Sequence, residues 1–388
     1  MKKIFIIGLF LMSLLACNNK PAPVNEIRIG TTLPQSGSYA WFGSQALSGI
    51  TAYINYYNAT NTDNIQIKVI NMDVEASPAE TAFAVRRLVE RDRVHFLSAI
   101  FTSGATRVAL DYAAPREIPI IAPYSGAEVH NKYLFPFPPT TRTDSYAMFN
   151  LLDQKIETGK PIALIYGNTK DGQLAEQYFR ELSEKHNRPV EFYPVENDRT
   201  EFSNIIIRMR NAGIEGVALY THHLPFVRVI EQSHEYRFTA QFVSWHGNAT
   251  VHQFTDGHLD TSIFDGVLTT TTSALTEDDP KYEYMENIFN QYATLNRNTF
   301  TARTLGGMGA AELLVEIVRK IEGEPTKDAV LEAAESIRGF SGVWLPPIYY
   351  DTWDKDNRNS RLGIAKVPVV EFQDGKLIYH SKVNIIGK

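Results

Sequence analysis

Four histidines are the side chains in this sequence with the clearest potential for chemistry. His222, His223, His246 and His252 lie at or just after the predicted ends of successive strands, so a sheet could gather them on one wall of a cleft. Imidazole nitrogens bind zinc, copper or nickel, which makes a metal site one alternative. Scattered histidines are more often solvated or hydrogen-bonded side chains, so we expect no metal here.

The motifs of enzyme sites are incomplete. His234-Glu235 begins the zinc motif HExxH, but its fifth position is Phe238. Residues 340–342 read FSG and lack the spacing of a G-x-S-x-G nucleophile elbow. The GGMG run at 306–309 lies in a predicted helix, where small residues indicate close packing rather than nucleotide binding. We therefore expect neither an enzyme nor a cofactor.

The single cysteine, Cys17, ends an apolar run near the start of the chain. Two lysines precede a segment from Ile4 to Ala16, whose thirteen residues reach roughly 20 Å as a helix, short of the ~30 Å hydrocarbon core. This pattern indicates an export signal rather than a membrane span. The ending Leu-Leu-Ala-Cys resembles the lipobox of bacterial lipoproteins, in which the cysteine is diacylated and the bond before it is cut. We expect a signal peptide at 1–16 and lipidated Cys17 with a polar linker at 17–25; the alternative is an ordinary signal peptide with an incidental cysteine.

Composition narrows the class of partner and the compartment. The formal net charge is −6, and removal of residues 1–16 makes it more negative, which argues against nucleic acid and anionic membrane surfaces as partners. Two or more acyl chains give stable anchoring, so we expect a membrane-anchored lipoprotein in the periplasm or at the cell surface. The length of 388 residues suggests two domains. With Cys17 lipidated, no disulfide is possible.

Strand and helix patterns alternate along the first part of the chain. Alternation of this kind predicts crossover connections, and hence parallel sheets covered by helices on both faces. Ser77-Pro78 reads as the cap and first position of one of these helices. The predicted strands are 26–33, 65–73, 94–100 and 118–124.

The same pattern restarts after Pro139 and predicts a second α/β unit. Its strands are followed by three helix-like stretches and a closing hairpin at Asp374-Gly375. Extended, Thr/Pro-rich pieces at 138–144, 267–273 and 344–351 predict three crossings between two lobes, and a cleft between two open sheets is a usual ligand site. The second set of predicted strands is 161–167, 190–197, 216–221, 240–245, 364–372 and 376–382.

Three segments in this order carry a resemblance to a known family. They are the opening IRIGTTLPQSGSYAWFGSQALSGI, the loop FTSGAT with the following IPIIAPYSG, and ALIYGNTKDGQLAEQY at the start of the second unit. The chain resembles, from about 26 to 385, the type I periplasmic binding proteins of the leucine/isoleucine/valine-binding branch, which serve ABC transporters as receptors.

The resemblance implies an α/β fold of two doubly wound parallel-sheet lobes joined by a three-crossing hinge. The N-terminal lobe would comprise 26–140 plus 270–345, and the C-terminal lobe 141–269 plus 346–388. The implied function is that of an extracytoplasmic solute receptor of an ABC importer. It binds an amino acid or related small polar solute between the lobes, and its closed form is recognised by the permease in the cytoplasmic membrane.

The family's first-lobe ligand loops fall on three parts of this sequence. Thr102 and Ser103 would donate to a solute carboxylate, although capping of the next helix is an alternative role for both. For the aromatic residues Trp41 and Phe42, the alternative role is packing within the core or between the lobes. The remaining first-lobe candidates are Trp41, Phe42, Tyr124, Ser125 and Gly126.

The second lobe departs from the family's pattern. Asp171 stands where amino-acid binders carry an aromatic residue, His223 lies where a second aromatic is found, and His246 takes the place of the carboxylate that meets the ligand's ammonium. An imidazole does not supply that charge, and Asp171 is the candidate to replace it. A carboxylated, amide or aromatic solute therefore stays open beside an amino acid.

A clamshell lipoprotein without a transport role is the remaining alternative. The same fold supports ligand sensing or the scaffolding of other envelope proteins, because fold does not fix function.

Overall fold

The computed structural model describes most of the chain from residue 25 to residue 385. The predicted signal peptide, Cys17 and His252 lie outside the described residues. The described ranges are 25–63, 65–75, 77–137, 139–249, 260–273, 275, 279–294, 299–357, 360–361 and 363–385.

A first sheet of five parallel strands, in the order β2-β1-β3-β4-β5, forms the centre of one lobe. Helices connect the first four strands along the chain by crossovers, as the alternating pattern predicts, whereas a loop without a helix joins the fourth to the fifth. The elements are β1 (Asn25–Thr32), α1 (Ala40–Thr60), β2 (Ile65–Asn71), α2 (Pro78–Glu90), β3 (Phe96–Ile100), α3 (Ser103–Ala113), β4 (Ile120–Ala122) and β5 (Leu134–Pro136).

A second sheet of seven strands forms the centre of the other lobe. Numbered in chain order, its strands lie in the order β14-β13-β10-β9-β8-β6-β7. Neighbouring strands pair in parallel, except that β13 is antiparallel to both β10 and β14 at one edge. Its first elements are α4 (Thr141–Lys155), β6 (Ile162–Gly167), α5 (Lys170–His186), β7 (Val190–Val195), α6 (Ser203–Asn211), β8 (Gly216–Tyr220), α7 (His223–Glu235), β9 (Gln241–Ser244) and β10 (Leu268–Thr270).

The chain then returns to the first lobe before it completes the second sheet. α9 packs along α1 so closely that a Cβ on Gly307 would lie 2.3 Å from the Ala46 carbonyl oxygen. Gly307 therefore serves close helix packing, as predicted, whereas Gly306 and Gly309 lie against the Trp344 ring. Within the described part of the chain, no helix is both long and apolar enough to cross a membrane. The last elements are α8 (Pro280–Tyr292), α9 (Ala302–Arg319), α10 (Lys327–Glu335), β11 (Arg338–Phe340), β12 (Ile348–Tyr349), β13 (Lys366–Gln373) and β14 (Lys376–Asn384).

Both faces of the second sheet are buried, which explains the continuous apolar runs. Along β6, Ile162 and Leu164 join one hydrophobic cluster, whereas Ala163 and Ile165 join another on the opposite face. Successive side chains of a strand point to opposite faces, so helices must cover both. The sheet is therefore the middle layer of three.

Local signals set several element boundaries. The Ser77 side chain accepts the Glu80 amide and Pro78 opens α2, as predicted. The hairpin turn has positive φ at both Asp374 (51°) and Gly375 (74°), which is the backbone that a two-residue type I′ turn requires. The β13–β14 pairing is therefore fixed by these two residues.

The segment 138–144 differs from the prediction of an extended crossing. Residues from Thr141 onward form the first turn of α4, and Thr140 caps that turn through its side chain. Thr143 returns a hydrogen bond to the Thr140 amide, which completes a capping box. Threonine and proline are common both in extended chain and at helix starts, so the composition alone did not separate the two.

The chain crosses between the lobes three times, near residue 139, after β10 and before β13. Tyr350 still belongs to the first lobe, since its hydroxyl donates to the Pro136 carbonyl at 2.9 Å and its ring lies 5.2 Å from Phe135. β12 pairs with β11 in the same lobe. The third crossing therefore follows Tyr350, later than the predicted boundary at 345.

Glu312 is a buried carboxyl group in the middle of α9. It accepts the backbone amides of Val343 at 2.8 Å and Trp344 at 3.2 Å, and so ties the loop after β11 to the helix. Burial raises the pKa of Glu312 to about 7, and the two amide hydrogen bonds offset only part of this effect. The group therefore titrates near neutral pH in the folded protein.

Replacing Glu312 with Gln should flatten the pH dependence of stability. The folded pKa of Glu312 lies above the unfolded value, so its contribution is complete below about pH 4.5 and is lost as the pH rises through about 7. One pKa unit corresponds to about 1.4 kcal/mol, so the wild type should lose on the order of 2–3 kcal/mol by pH 8 relative to Glu312→Gln. Denaturant unfolding at several pH values measures this difference.

Glu316→Gln is the matched control, because Glu316 lies one turn further along α9, where it forms an i,i+4 pair with Lys320 at 3.4 Å. The control should follow the wild-type pH dependence. Parallel curves for wild type and Glu312→Gln would show that Glu312 does not titrate in this range.

Candidate functional site

The carboxyl ends of the parallel strands in the two sheets lie at the face between the lobes. Hydrogen-bonded contacts span this interlobe face, among them Arg107 Nη2 at 2.6 Å from Asp171 Oδ1 and the Tyr178 hydroxyl, which donates to Glu128 Oε1 at 2.6 Å. Loops after parallel strands supply binding residues in open α/β sheets. The lobes therefore meet through the loops where a ligand is expected.

Aromatic rings line the first-lobe side of the interlobe face. The Phe42 ring centroid lies 4.7 Å from Phe101 and 5.3 Å from Tyr124, and Trp41 is in edge contact with Phe42 at 6.0 Å. Tyr39 extends the group through Phe101 at 5.3 Å. We call Tyr39, Trp41, Phe42, Phe101 and Tyr124 the aromatic wall. The structure thus brings the three predicted aromatic candidates together.

Arg303 adds a positive charge to the aromatic wall. Its guanidinium carbon lies 4.2 Å from the centroid of Trp41 and 4.8 Å from that of Phe42. Arg303 occupies the first turn of α9, where Thr301 caps the helix by accepting the amides of Arg303 and Thr304. Burial lowers the pKa of Arg303 to about 10, so the group remains charged at neutral pH.

The loop after β3 holds Thr102 in an unusual backbone conformation. Thr102 has φ 78° and ψ 152°, a region that residues other than glycine rarely adopt. Its side chain caps α3 by accepting the Ala105 amide at 3.3 Å, and its own amide donates to the Tyr124 carbonyl at 3.3 Å. The capping role is therefore present, and it places the loops of β3 and β4 side by side.

The 124–126 loop connects to the hinge. Ser125 is buried, and its hydroxyl accepts the Ala127 amide at 3.1 Å. The Gly126 carbonyl accepts a hydrogen bond from the Thr141 hydroxyl at 3.3 Å, and that hydroxyl in turn accepts one from Tyr220 at 3.0 Å. This chain of bonds links a first-lobe ligand loop to β8 of the second lobe. Ser103 lies close to it, with Oγ 3.6 Å from the Cβ position of Gly126.

Two buried hydroxyls at the interlobe face have no hydrogen-bond partner among the described residues. They are Tyr124 Oη in the aromatic wall and Thr221 Oγ1 at the end of β8. Buried polar groups are nearly always satisfied, by protein, water or ligand. Other buried polar atoms of the described residues, such as Ser98 Oγ and Ser233 Oγ, share this property, so the two hydroxyls do not by themselves mark a ligand position.

Asp171 lies in the first turn of α5, where the sequence placed it. Its Oδ1 atom lies 2.6 Å from Nη2 of Arg107 of the first lobe, so its charge is compensated by a protein group. Both side chains are about three-quarters buried, which makes the pair less screened than a surface ion pair. Its role as partner of a ligand ammonium stays a prediction.

His222 and His223 stand at the start of α7, on the second-lobe side. Burial lowers the pKa of both imidazoles. A neighbouring group adds a smaller lowering in each case: His223 lowers the pKa of His222, and Arg303 lowers the pKa of His223. The positive charge of Arg303 is thus close enough to His223 to lower the pKa of that imidazole. Both imidazoles are therefore neutral at pH 7.

His246 follows β9 and is held by a buried acid. Its Nδ1 lies 2.7 Å from Oδ2 of Asp144, a fully buried residue of α4. The Trp245 ring lies 5.0 Å from His246 and 6.3 Å from His222, and its Nε1 donates to the Thr221 carbonyl at 2.7 Å. His246 thus belongs to a second-lobe wall beside the hinge.

The histidines do not form a metal site within the part of the chain that the structure describes. No group of three or more His, Cys, Asp or Glu side chains is arranged there to hold an ion. A metal site at the four histidines is therefore not supported by His222, His223 and His246. His252 lies outside the described residues.

Sequence reasoning missed Arg303, Asp144, Arg107 and Phe101. Arg107 and Asp171 are 64 residues apart, and Asp144 and His246 are 102 apart. Pairing across such separations depends on how the lobes close. A local signal existed only for Phe101, which directly precedes the predicted Thr102 loop.

A polar groove of about 490 Å³ lies elsewhere, between α4 and β14 of the second lobe. Asp153, at its edge, already binds Arg188 at 2.9 Å and His186 at 2.9 Å. The interlobe face, where loops after the parallel strands of both lobes meet, is the better candidate for a solute site.

Comparison with known proteins agrees with this geometry. The family model "Periplasmic binding protein" matches residues 26–376. A Brucella abortus protein named Leu/Ile/Val-binding protein homolog 2 is 27% identical over 263 residues, which cover 64% of this chain and 67% of the relative.

Solved structures share the fold. A branched-chain amino acid transporter substrate-binding protein from Streptococcus pneumoniae, in complex with isoleucine, superposes with a TM-score of 0.75 at 17% identity, covering 92% of this chain and 99% of that one. An ABC-transporter solute-binding protein from Rhodopseudomonas palustris, in complex with 3,4-dihydroxybenzoic acid, gives a TM-score of 0.73 at 18% identity, covering 94% and 98%.

Replacing both Thr102 and Ser103 with Ala should weaken solute binding. Each hydroxyl that donates to a solute carboxylate contributes about 1 kcal/mol or more, so a loss of about tenfold to a hundredfold in affinity is expected. Calorimetric titration with whichever solute stabilises the wild type measures the change.

Thr326→Ala is the matched control for the lost helix cap. Thr326 caps α10 through the Ala329 amide at 3.2 Å and is not part of the interlobe face. It should cost about 1 kcal/mol of stability and leave affinity unchanged. Wild-type affinity in the double variant would remove the 102–103 loop from the site.

Proposed function

Because the chain belongs to the periplasmic binding protein family, we propose that it is the lipid-anchored solute receptor of an ABC importer. It binds an amino acid or a related small polar solute between its two lobes. Family and fold are those of solute-binding proteins rather than enzymes, and they imply an extracytoplasmic location. The observation that carries the proposal is the interlobe face, where aromatic rings of the first lobe and polar side chains of both lobes meet at the loops after the parallel strands.

The proposed site draws on both lobes. From the first lobe come Trp41, Phe42, Tyr124 and the loops at 102–103 and 125–126. From the second lobe come Asp171, His223 and His246. A solute held between such walls replaces the contacts that water makes, and an unmatched polar group on a wrong solute costs about 1–3 kcal/mol.

Closure supplies the signal to the permease. The Arg107–Asp171 pair and the Tyr178–Glu128 hydrogen bond join the lobes only when the loops approach, so both favour the closed form. A solute that bridges the lobes shifts the equilibrium in the same direction. We assign one lobe to 26–140 plus 270–345, extended to Tyr350 by its contacts with that lobe, and the other lobe to 141–269 plus the remaining chain, with the crossings between them as the hinge.

The anchor rests on the sequence around Cys17. The lipobox-like ending supports diacylation of this cysteine, and two acyl chains give stable membrane attachment. An anchored receptor stays near its permease, which is the second proposed partner.

A thermal-shift screen tests solute binding. A ligand that binds only the folded protein stabilises it by about 2.7 kcal/mol at a hundred times its Kd, so the Tm should rise with amino acids or related compounds. The panel should include amino acids, their amides, aromatic acids and divalent metals. Absence of any shift among the organic solutes would contradict a receptor role, and uptake by vesicles carrying the permease separates transport from sensing.

Replacing Cys17 with Ala should release the protein from the membrane. The wild type should incorporate labelled fatty acid and enter the detergent phase on phase separation, and the variant should do neither. Ser13→Ala, within the same apolar segment, should behave as the wild type. Membrane retention of Cys17→Ala would rule out the lipid anchor.

A further inference from the structure

The polar groove between α4 and β14 is lined by two lysines that have no protein partner. Lys155 is the last residue of α4, Lys382 lies on β14, and both are exposed. Neither lysine forms a hydrogen bond or an ion pair with any residue that the structure describes. The groove volume of about 490 Å³ lies within the range of small-molecule sites. Two positive charges are thus available to a ligand in one cavity.

Arg188 compensates the negative charge at this groove. Asp153 is the one acidic side chain among the described residues that line it, and its Oδ1 atom accepts a hydrogen bond from Arg188 Nε at 2.9 Å. The other four N–H groups of this guanidinium donate at 2.6–3.2 Å to the backbone carbonyls of Asp153, Ile156, Glu157 and Lys160. An arginine has five N–H donors, so Arg188 is fully engaged.

The end of α4 would otherwise repel an anion, because the last carbonyls of a helix carry a partial negative charge. Only 3% of the Arg188 side chain is exposed, so its charge stays beside these carbonyls and Asp153. The groove is left with the charges of Lys155 and Lys382, in a protein whose formal net charge is −6. An anion is therefore the ligand that this charge pattern favours.

Uncharged donors line the same groove. The side-chain amide of Gln154 has no partner among the described residues. The Nδ1 atom of His380 lies 2.8 Å from Ser381 Oγ. When this hydroxyl donates to Nδ1, the imidazole proton is on Nε2, which can donate it to a ligand. The groove thus offers an anion two ammonium groups and two neutral donors.

The kind of donor indicates a phosphate rather than a carboxylate. A planar carboxylate is matched best by the fork of an arginine, and the guanidinium beside this groove is already engaged. Lysines act as point charges, and a phosphate monoester offers three acceptor oxygens and a charge of about −1.5 to −2. The groove is also larger than a phosphate group alone, which leaves room for an organic part.

We propose that the groove between α4 and β14 binds a water-soluble organic phosphate monoester, with its phosphate on Lys155 and Lys382. Gln154 and His380 donate hydrogen bonds to the same phosphate. Lys155 lies at the far end of α4 from Thr141 at the hinge, a distance of about 20 Å at 1.5 Å per residue. This second site is separate from the interlobe face and does not rest on the proposed receptor function.

Isothermal titration of the purified protein with three esters (glucose 6-phosphate, glycerol 3-phosphate and AMP) tests the ligand class. Glucose 6-phosphate should bind at least about tenfold more tightly than glucose, and its affinity should fall as salt is raised, because both lysines are exposed. Inorganic phosphate and short-chain dihexanoyl phosphatidic acid complete the series. Failure of every ester to bind, binding of inorganic phosphate as tightly as any ester, or binding of the lipid alone would each overturn the proposal.

Replacing the two lysines with glutamine tests the location of the site. Lys155→Gln and Lys382→Gln should each weaken glucose 6-phosphate binding by about tenfold, and the double variant should lose more. Both side chains are exposed and unpaired among the described residues, so the variants should fold as the wild type does. Lys376→Gln is the matched control, because Lys376 is an exposed residue of β14 that does not line the groove.

The interlobe variant separates this site from the proposed solute site. The protein with both Thr102→Ala and Ser103→Ala should bind glucose 6-phosphate as the wild type does. Loss of glucose 6-phosphate binding in that variant, or wild-type affinity in the double lysine variant, would overturn the proposal. The double lysine variant should keep its affinity for any solute found by the thermal-shift screen, so failure of that screen would count against the receptor function alone.

Discussion

The buried carboxylate of Asp144 is the interaction on which the arrangement of the lobes depends. It lies in the first turn of α4, just after the first crossing, and accepts hydrogen bonds from His246 behind β9 and from Thr270 at the second crossing. Removing one partner of a buried charge leaves the other uncompensated at a cost of several kcal/mol. Two crossings and one wall of the interlobe face are thereby tied to a single side chain, and closure can move the lobes about a hinge that is itself well ordered.

The position of the site follows from sheet geometry. In parallel sheets every carboxyl end points the same way, so all connecting loops of a lobe that carry ligand residues share one edge. The loops after β1, β3 and β4 build the first wall, and those after β6, β8 and β9 build the second. Helix starts occur in the same place, which is why Thr102 serves both as a cap and as a candidate ligand residue. Strain at Thr102 is tolerated because its amide and side chain are fixed by Tyr124 and Ala105.

Local patterns were sufficient to predict most of the fold. Period-2 burial, the Ser77-Pro78 cap and the Asp374-Gly375 turn each act within a few residues, and each is present in the structure. The start of α4 was missed because a capping box and an extended Thr/Pro-rich segment have similar composition. At the candidate site, the partners of Trp41 and His246 were not predictable from the sequence, because Arg303 and Asp144 reach them only through tertiary packing.

Electrostatics of the interlobe face connect closure to selectivity. The Arg107–Asp171 pair removes one negative charge from the solute's surroundings as the lobes meet, while Arg303 stays charged because its pKa, though lowered by burial, is still about 10. Closing therefore pairs one carboxylate with a guanidinium group, while the other two acidic side chains of the face, Glu128 and Asp144, are held by hydroxyl and imidazole groups. Selectivity then depends on which of these polar groups a solute can pair with, because a buried charge without a partner is costly.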